Sequence, residues 1–246
     1  MAILAEYHKP RSVTEAVQLL RRTDVRLRPL AGGSQLVGAL ETRALPDVDG
    51  VVDLAGLGLH RIEATGDLLR LGATATLSDV GGHPVAGEVA GGILRRTAAY
   101  EGPVNLRNVA TVGGVVASAE TDSEFYAALL ALGASVVTSD GVRETVTPLA
   151  DFIIPSSHHL ITSVSLPIRA LRCGHARVAR TPSDRCIVAA VVVVGDAVER
   201  VALCGVGERP VLAGGALTPP DDWKGSAEYR LAMAEVVQER ALAELR

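Results

Sequence analysis

Two stretches of the chain share a design that could bind an anionic group. In each, an apolar segment leads into a Gly-Gly pair and small or polar residues follow: Leu27 to Leu36 in one, Asn108 to Glu120 in the other. Nothing bulky projects from such a turn, so its backbone N–H groups can approach a ligand, and turns of this kind cradle phosphates. One Gly-Gly pair alone is more often an ordinary tight loop. Two such loops, 81 positions apart at Gly32 and Gly113, could hold two ends of one diphosphate.

The chain lacks the sequence patterns of several other kinds of site. It has no GxSxG nucleophile elbow and no P-loop. Two Gly-x-Gly stretches, 56–58 and 205–207, lack the third glycine of a dinucleotide fingerprint, because Arg61 and Pro210 stand in its place. His158 and His159 are adjacent and would face opposite ways on a strand, so we do not expect them to bind a metal together.

The composition is that of an ordinary globular protein. The 246 residues are 48% hydrophobic and 21% charged, with a formal net charge of −4 and scattered Lys and Arg, which argues against a nucleic-acid or anionic-membrane surface. The longest apolar run, Ile187 to Val194, is far shorter than the roughly 20 residues of a membrane span. Three distant cysteines, Cys173, Cys186 and Cys204, make a disulfide framework, a zinc site or an iron–sulfur cluster unexpected. We expect a cytoplasmic protein.

Residues 1–55 are predicted to form a small α/β unit. Ser12 and Glu15 have the spacing of a capping box at the start of a helix. A short strand at 27–30, a helix at 35–41 and a strand at 51–54 should follow. This order of strands and helices is typical of an α/β unit with its glycine stretch between a strand and a helix.

Residues 56–167 and 168–246 are predicted to form two further parts. The second part should contain a hairpin about Gly66, a helix over 85–100, the second glycine turn, a helix over 124–132, a hairpin about Gly141 and a strand over 160–166. After Pro167 the chain becomes rich in arginine. Three strand-like runs and an amphipathic helix over 227–245 indicate a separate C-terminal domain of sheet plus helices.

The two glycine stretches, taken together, resemble the flavin-binding, medium subunit of the molybdenum hydroxylases, the relatives of carbon monoxide dehydrogenase and xanthine dehydrogenase. The resemblance covers nearly the whole chain. The matching segments are Pro10 to Val17, Val51 to Leu54, Leu71 to Thr74, Asn108 to Gly114, Leu166-Pro167 and Ala227 to Arg230. The resemblance implies an α+β fold. Residues 1–55 and 56–167 would form the two lobes of an FAD-binding unit of the PCMH/vanillyl-alcohol-oxidase type, and residues 168–246 would form a small C-terminal α+β domain.

The resemblance also implies a cofactor, a site and partners. FAD would lie between the parts, with its diphosphate on the glycine stretches and no side chain acting as acid, base or nucleophile. The expected cofactor-binding residues are Ala31, Gly32, Gly33, Ser34, Gln35, Leu36, Thr111, Gly113, Gly114 and Asp184, with Asp53 a weaker candidate that more often would form a turn. The expected partners are a molybdopterin-binding large subunit and a small subunit with two [2Fe–2S] clusters. The chain would pass electrons from those clusters through FAD to an external acceptor.

Several residues depart from the family's pattern. Val115 stands where the family usually has Asn, Thr121 and Glu124 stand where it usually has Pro and Asp, and Arg185 replaces an aromatic residue near the flavin ring. Arginine there could stack on the ring, pair with its N1–C2 edge, or mark a lost site. Two alternatives therefore stay open: a flavin-poor scaffold subunit, and a stand-alone flavoenzyme of the same fold acting on a small molecule.

Overall fold

The computed structural model describes residues 4–153, 159–195 and 198–245. The first elements form a three-stranded parallel sheet in the order β1-β3-β2, with its helices as connections. Their bounds are β1 Glu6–His8, α1 Val13–Leu20, β2 Leu27–Leu30, α2 Leu36–Glu41 and β3 Gly50–Asp53. This is the predicted order of strands and helices.

Helix α1 begins where the capping pattern predicted. The Ser12 hydroxyl accepts the N–H of Glu15, while the Glu15 carboxylate accepts the N–H of Arg11, one residue earlier than in a standard capping box. Three apolar residues of the helix are buried against the strands and against Leu160 of the second part. They are Ala16, Val17 and Leu20. The first sheet is thereby packed against one wall of the rest of the chain.

The second part is a five-stranded antiparallel sheet with a group of helices. The strand order is β4-β5-β8-β6-β7. The strands are β4 Ile62–Thr65, β5 Leu68–Gly72, β6 Ser135–Ser139, β7 Glu144–Pro148 and β8 Leu160–Pro167; the helices are α3 Leu77–Gly82, α4 Val89–Tyr100, α5 Val104–Arg107, α6 Val112–Ser118 and α7 Glu124–Leu132. Helix α7 has the bounds that the sequence predicts, and Phe125, Leu129 and Leu132 are buried as expected.

The prediction of one continuous helix over 85–100 is wrong in its first half. A short 3₁₀ turn covers Ala86–Glu88, and Ala90, Gly91 and Gly92 all have positive φ values of 48°, 72° and 83°. Such φ values break a right-handed helix, and glycine accepts them at low cost. Regular helical geometry therefore begins only after Gly92.

The last part is a four-stranded antiparallel sheet covered by one long helix. The strand order is β12-β11-β10-β9. The elements are β9 Arg172–Val178, β10 Val188–Gly195, β11 Val198–Cys204, β12 Val211–Leu212 and α8 Ala227–Ala243. Strand β9 lies in the arginine-rich segment, where the sequence showed no strand. Helix α8 buries Arg230, Ala234, Val237 and Ala241, whereas Leu231 and Leu242 of its predicted apolar face are exposed.

One hydrophobic core joins the second part to the C-terminal sheet. Helix α7 is buried along its entire length and lies against β10 and β11 as well as against α4. The other face of that sheet packs on α8. Among the described residues, no helix is both long enough and apolar enough to cross a membrane. The division at residues 55 and 167 stays a prediction, although each of the three sheets draws its strands from one of these parts.

Candidate functional site

A cavity of about 470 Å³ lies where the first and second parts meet. Both glycine stretches line it. Of the predicted cofactor-binding residues, the cavity is lined by Ala31, Gly32, Gly33, Ser34, Gln35, Leu36, Thr111, Gly113 and Gly114. The structure thus brings nine of the ten residues to one cavity, although the two stretches are far apart in sequence.

The two stretches approach so closely that glycine is required at Gly32. A Cβ atom at this position would lie 1.6 Å from the carbonyl oxygen of Val109 and 3.3 Å from the nitrogen of Ala110. No real Cβ atom tolerates the first distance, so any larger residue would push the stretches apart. Gly32 therefore fixes the width of the cavity where the stretches meet.

In the first stretch, the loop that runs from Ala31 into the first residue of α2, Leu36, has free backbone donors. Gly33 has φ +74°, the left-handed region that favours glycine. Within the described residues, no hydrogen bond is made by the N–H group of any residue from Ala31 to Leu36. Successive free N–H groups around a left-handed residue are an arrangement that binds anions. The hydroxyl of Ser34 and the amide of Gln35 are exposed beside them.

The prediction of a turn at the second stretch is wrong, because Gly113 and Gly114 lie in the first turn of α6. Thr111 is the N-cap, and its hydroxyl oxygen accepts the N–H of Gly114 at 3.1 Å. The N–H of Gly113 donates to the carbonyl of Ala73 at 2.8 Å, and that of Val112 donates to Ala75 at 2.9 Å. The N–H groups of Val112, Gly113 and Gly114 are therefore already paired, whereas the N–H and the hydroxyl hydrogen of Thr111 have no acceptor among the described residues.

The structure does not bring Asp184 to the cavity. Its side chain is exposed, and its carbonyl accepts a hydrogen bond from Arg177. Asp53 has the turn-forming role that the sequence favoured: its carboxylate accepts the N–H of Ala55 at 2.9 Å and the hydroxyl of Tyr7 at 2.6 Å. The neighbour of Asp184, Arg185, does line the cavity.

Arg185 is held by three carboxylates of the chain. Its terminal nitrogens contact Glu101 at 2.9 Å, Asp122 at 3.1 Å and also Glu120. Burial alone would lower the pKa of Arg185, but these carboxylates outweigh burial and raise it. Burial raises the pKa of Glu101 above its ordinary value, opposed by Arg185, by the N–H of Phe125 and by the Ser123 hydroxyl.

The departures from the family's pattern fall into two groups. Val115 and Arg185 line the cavity, so they change its chemistry. Thr121 and Glu124 do not line it and instead join the second part to the C-terminal sheet. The Thr121 carbonyl accepts the N–H of Gly205 at 2.6 Å, and the buried Glu124 pairs with His175 at 2.7 Å and with Arg177 at 2.9 Å.

Sequence reasoning missed three charged residues of the cavity wall: Arg28, Glu101 and Glu120. Arg28 lies three positions before Ala31 on β2, a position that a strand-to-loop argument could have found. Glu101 is 84 positions from its partner Arg185, and no local pattern signals such a contact. The cavity also has apolar lining residues, which in the first part are Leu20, Leu27, Leu36, Leu45 and Leu54.

No group of three or more His, Cys, Asp or Glu side chains suited to a metal ion occurs in the part of the chain that the structure describes. His159 lines the cavity, and His158 lies outside the described residues. The cavity therefore offers anion-binding N–H groups, apolar side chains and a charged group around Arg185.

Comparison with known proteins identifies related chains. Residues 3–169 match the family described as the FAD binding domain in molybdopterin dehydrogenase. The carbon monoxide dehydrogenase medium chain of Afipia carboxidovorans is 26% identical over 96% of this chain and 95% of its own length. The nicotine 6-hydroxylase medium subunit of Paenarthrobacter nicotinovorans is 28% identical over 97% of this chain and 96% of its own length.

Solved structures share the fold. A chain of the reconstituted CO dehydrogenase from Oligotropha carboxidovorans superposes with a TM-score of 0.88 at 25% identity, covering 99% of both chains. A chain of quinoline 2-oxidoreductase from Pseudomonas putida 86 gives a TM-score of 0.90 at 23% identity, covering 99% of this chain and 97% of the other, and shows the likeness of the fold alone.

Fold, cavity and relatives together define a cofactor-binding component of an oxidoreductase. The relatives are subunits of dehydrogenases and hydroxylases. Because the family match spans more than half of its length, the chain belongs to the FAD-binding medium subunits of the molybdenum hydroxylases. Its cofactor is FAD.

Proposed function

We propose that this chain is the electron-transfer subunit of a molybdenum hydroxylase-type complex, which takes electrons from iron–sulfur clusters of a partner and passes them through FAD to an external acceptor. The observation that carries the proposal is the loop of residues 31–36, whose free N–H groups border a cavity lined by both glycine stretches. Bound FAD supplies redox chemistry that amino-acid side chains do not provide.

The residues of the cavity fit FAD. The diphosphate needs several donors at once, and the loop from Ala31 to Leu36 offers six N–H groups together with the Ser34 hydroxyl. Arg28 lines the same cavity and could balance one phosphate charge. At the second stretch, the Thr111 hydroxyl could donate one further bond, while Gly113 and Gly114 keep the surface flat enough for close approach.

The partners follow from the same family membership. The relatives are medium chains or medium subunits, names that imply a multi-subunit assembly. We propose a molybdopterin-binding large subunit and a [2Fe–2S] small subunit as partners of this chain. Co-purification of the tagged chain from its native source should then recover molybdenum and iron in fixed ratio to flavin, whereas a stand-alone flavoenzyme would carry flavin alone.

Flavin absorbance in the visible range tests the cofactor site. The purified chain is titrated with FAD, and the spectrum is compared with those of Gly33→Trp and Gly58→Trp. Gly33 and Gly58 have nearly the same φ, +74° and +70°, but only Gly33 lines the cavity. The proposal expects the wild type and Gly58→Trp to bind FAD and Gly33→Trp to lose it. A colourless wild-type protein that takes up no FAD would overturn the site and leave the scaffold alternative.

A further inference from the structure

Two buried glutamates, each paired with an arginine, connect the second part to the C-terminal part, and only one of these pairs lies in the cavity wall. Glu101 contacts Arg185 at 2.9 Å, and Glu124 contacts Arg177 at 2.9 Å. The two glutamate side chains are similarly inaccessible, 5% and 1% exposed. Glu101 and Arg185 line the cavity, whereas Glu124 and Arg177 do not. The chain therefore carries a cavity pair and a matched pair outside it.

The charge of Arg185 is balanced by the chain itself. Besides Glu101, its guanidinium contacts Glu120 and Asp122, and Asp122 also contacts Lys224 at 2.5 Å. Three carboxylates and two cations leave this group with a formal charge of −1. The charge of Arg185 is thus balanced within the chain, although its buried Nε–H has no hydrogen-bond partner among the described residues.

One region of the cavity lining is charged, and we call it the charged wall. It is the contacting group of Glu101, Glu120, Ser123 and Arg185, and much of the remaining lining is leucine from the first and second parts. The pyrimidine edge of an isoalloxazine ring carries several nitrogen and oxygen atoms, and burying these against leucine without hydrogen bonds would be costly. The redox-active ring of bound FAD is therefore expected at the charged wall.

We propose that Glu101 sets the reduction potential of the bound FAD and holds it low, because its carboxylate, paired with Arg185, leaves the charged wall with a net negative charge. This inference rests on the proposed function. A carboxylate near the ring disfavours the added electrons, because like charges repel strongly in a partly desolvated site. Glu101 acts here as a specificity-determining residue, since the potential decides which acceptors can take the electrons.

Glu101 also has a structural role that the test must separate from its charge. Its carboxylate accepts the Ser123 hydroxyl at 2.8 Å and the N–H of Phe125 at 2.9 Å, and thereby holds the first turn of α7. Glutamine keeps the size and one oxygen acceptor and removes the charge. Glu101→Gln is therefore the informative variant, and Glu124→Gln is its control, because it removes a similarly buried carboxylate charge that is also paired with an arginine but lies outside the cavity.

The test is redox titration of FAD bound to the full-length chain, with the FAD dissociation constant measured in parallel. Glu101→Gln should raise the equilibrium constant for reduction of the bound FAD at least tenfold. This corresponds to a rise of about 30 mV in the reduction potential of a two-electron couple. Glu124→Gln should change it less than threefold. Glu120→Gln should raise it in the same direction by less than Glu101→Gln, because Glu120 is one-third exposed. Glu120→Gln also keeps the test usable if Glu101→Gln does not fold.

Three outcomes separate this inference from the function on which it rests. Equal shifts in Glu101→Gln and Glu124→Gln would show a general structural effect and overturn the inference. Unchanged potentials in Glu101→Gln and Glu120→Gln, with FAD still bound, would also overturn it, because the ring would then not respond to the charge of this wall. Failure of the wild type to bind FAD would overturn the proposed function itself.

Discussion

The two glycine stretches have the same sequence design and opposite hydrogen-bonding states. In the first, the N–H groups of residues 31–36 make no hydrogen bond within the described chain. In the second, the N–H groups of Val112, Gly113 and Gly114 donate to Ala75, Ala73 and Thr111. The difference arises from the segment around Ala73, which lies beside the second stretch and supplies carbonyl acceptors. We therefore propose that the first stretch binds the ligand and that the second, against which Gly32 packs, holds the first in place.

Gly32→Ala should have the largest effect of any single substitution in either stretch. The new Cβ would collide with the Val109 carbonyl and separate the stretches, at a cost of about 3 kcal/mol, or roughly hundredfold in FAD affinity. Gly114→Ala is the matched control, because its Cβ meets only the Thr111 hydroxyl, at 2.9 Å. Equal losses of FAD affinity in the two variants would contradict the assignment of binding to the first stretch.

Gly33→Ala should weaken FAD binding about tenfold. Alanine in the left-handed region costs roughly 1–2 kcal/mol, and relaxing that strain would turn the loop's N–H groups away from the ligand. Gly58→Ala introduces the same strain outside the cavity and serves as the control. Fluorescence titration with FAD and denaturant unfolding should show comparable stability losses in both variants and an affinity loss in Gly33→Ala alone.

Much of the fold could be predicted from the sequence, but it could not be predicted which backbone N–H groups of the glycine stretches are free. Strand and helix order in the first part follows from local patterns such as the Ser12 cap, and α7 follows from its apolar run. The pairing of Gly113 with Ala73 depends on a contact across the fold that no local pattern signals. The same is true of Glu101 and Arg185. Sequence reasoning therefore located the cavity from the glycine stretches and missed how its charged wall is balanced.

Thr111→Val should lower stability rather than affinity. The substitution removes the oxygen that caps α6, a loss of about 1 kcal/mol in the free energy of unfolding. FAD affinity should fall no more than about threefold, the worth of one weak hydrogen bond. Thr111→Ser keeps the capping oxygen and should restore the stability. An affinity loss larger than the stability loss would assign direct ligand binding to the second stretch.

Ser34→Ala should have the smallest effect of these substitutions. In contrast to Thr111→Val, it should lower the affinity for FAD and leave the free energy of unfolding unchanged. The Ser34 hydroxyl is exposed and makes no hydrogen bond within the described residues, so the unfolding free energy should not change. Loss of one hydrogen bond to the diphosphate should weaken FAD binding several-fold, since such a bond contributes about 1 kcal/mol. Isothermal titration together with urea unfolding measures both quantities; a stability loss with unchanged affinity would contradict the comparison.

Residue-resolved amide hydrogen exchange, with and without FAD, tests the central claim most directly. Without FAD, the amides of residues 31–36 should exchange fast, because they are free, and those of Val112 to Val115 should already be protected by their internal hydrogen bonds. Adding FAD should protect 31–36 strongly and change 112–115 little. Protection gained at 112–115 with none at 31–36 would contradict the account.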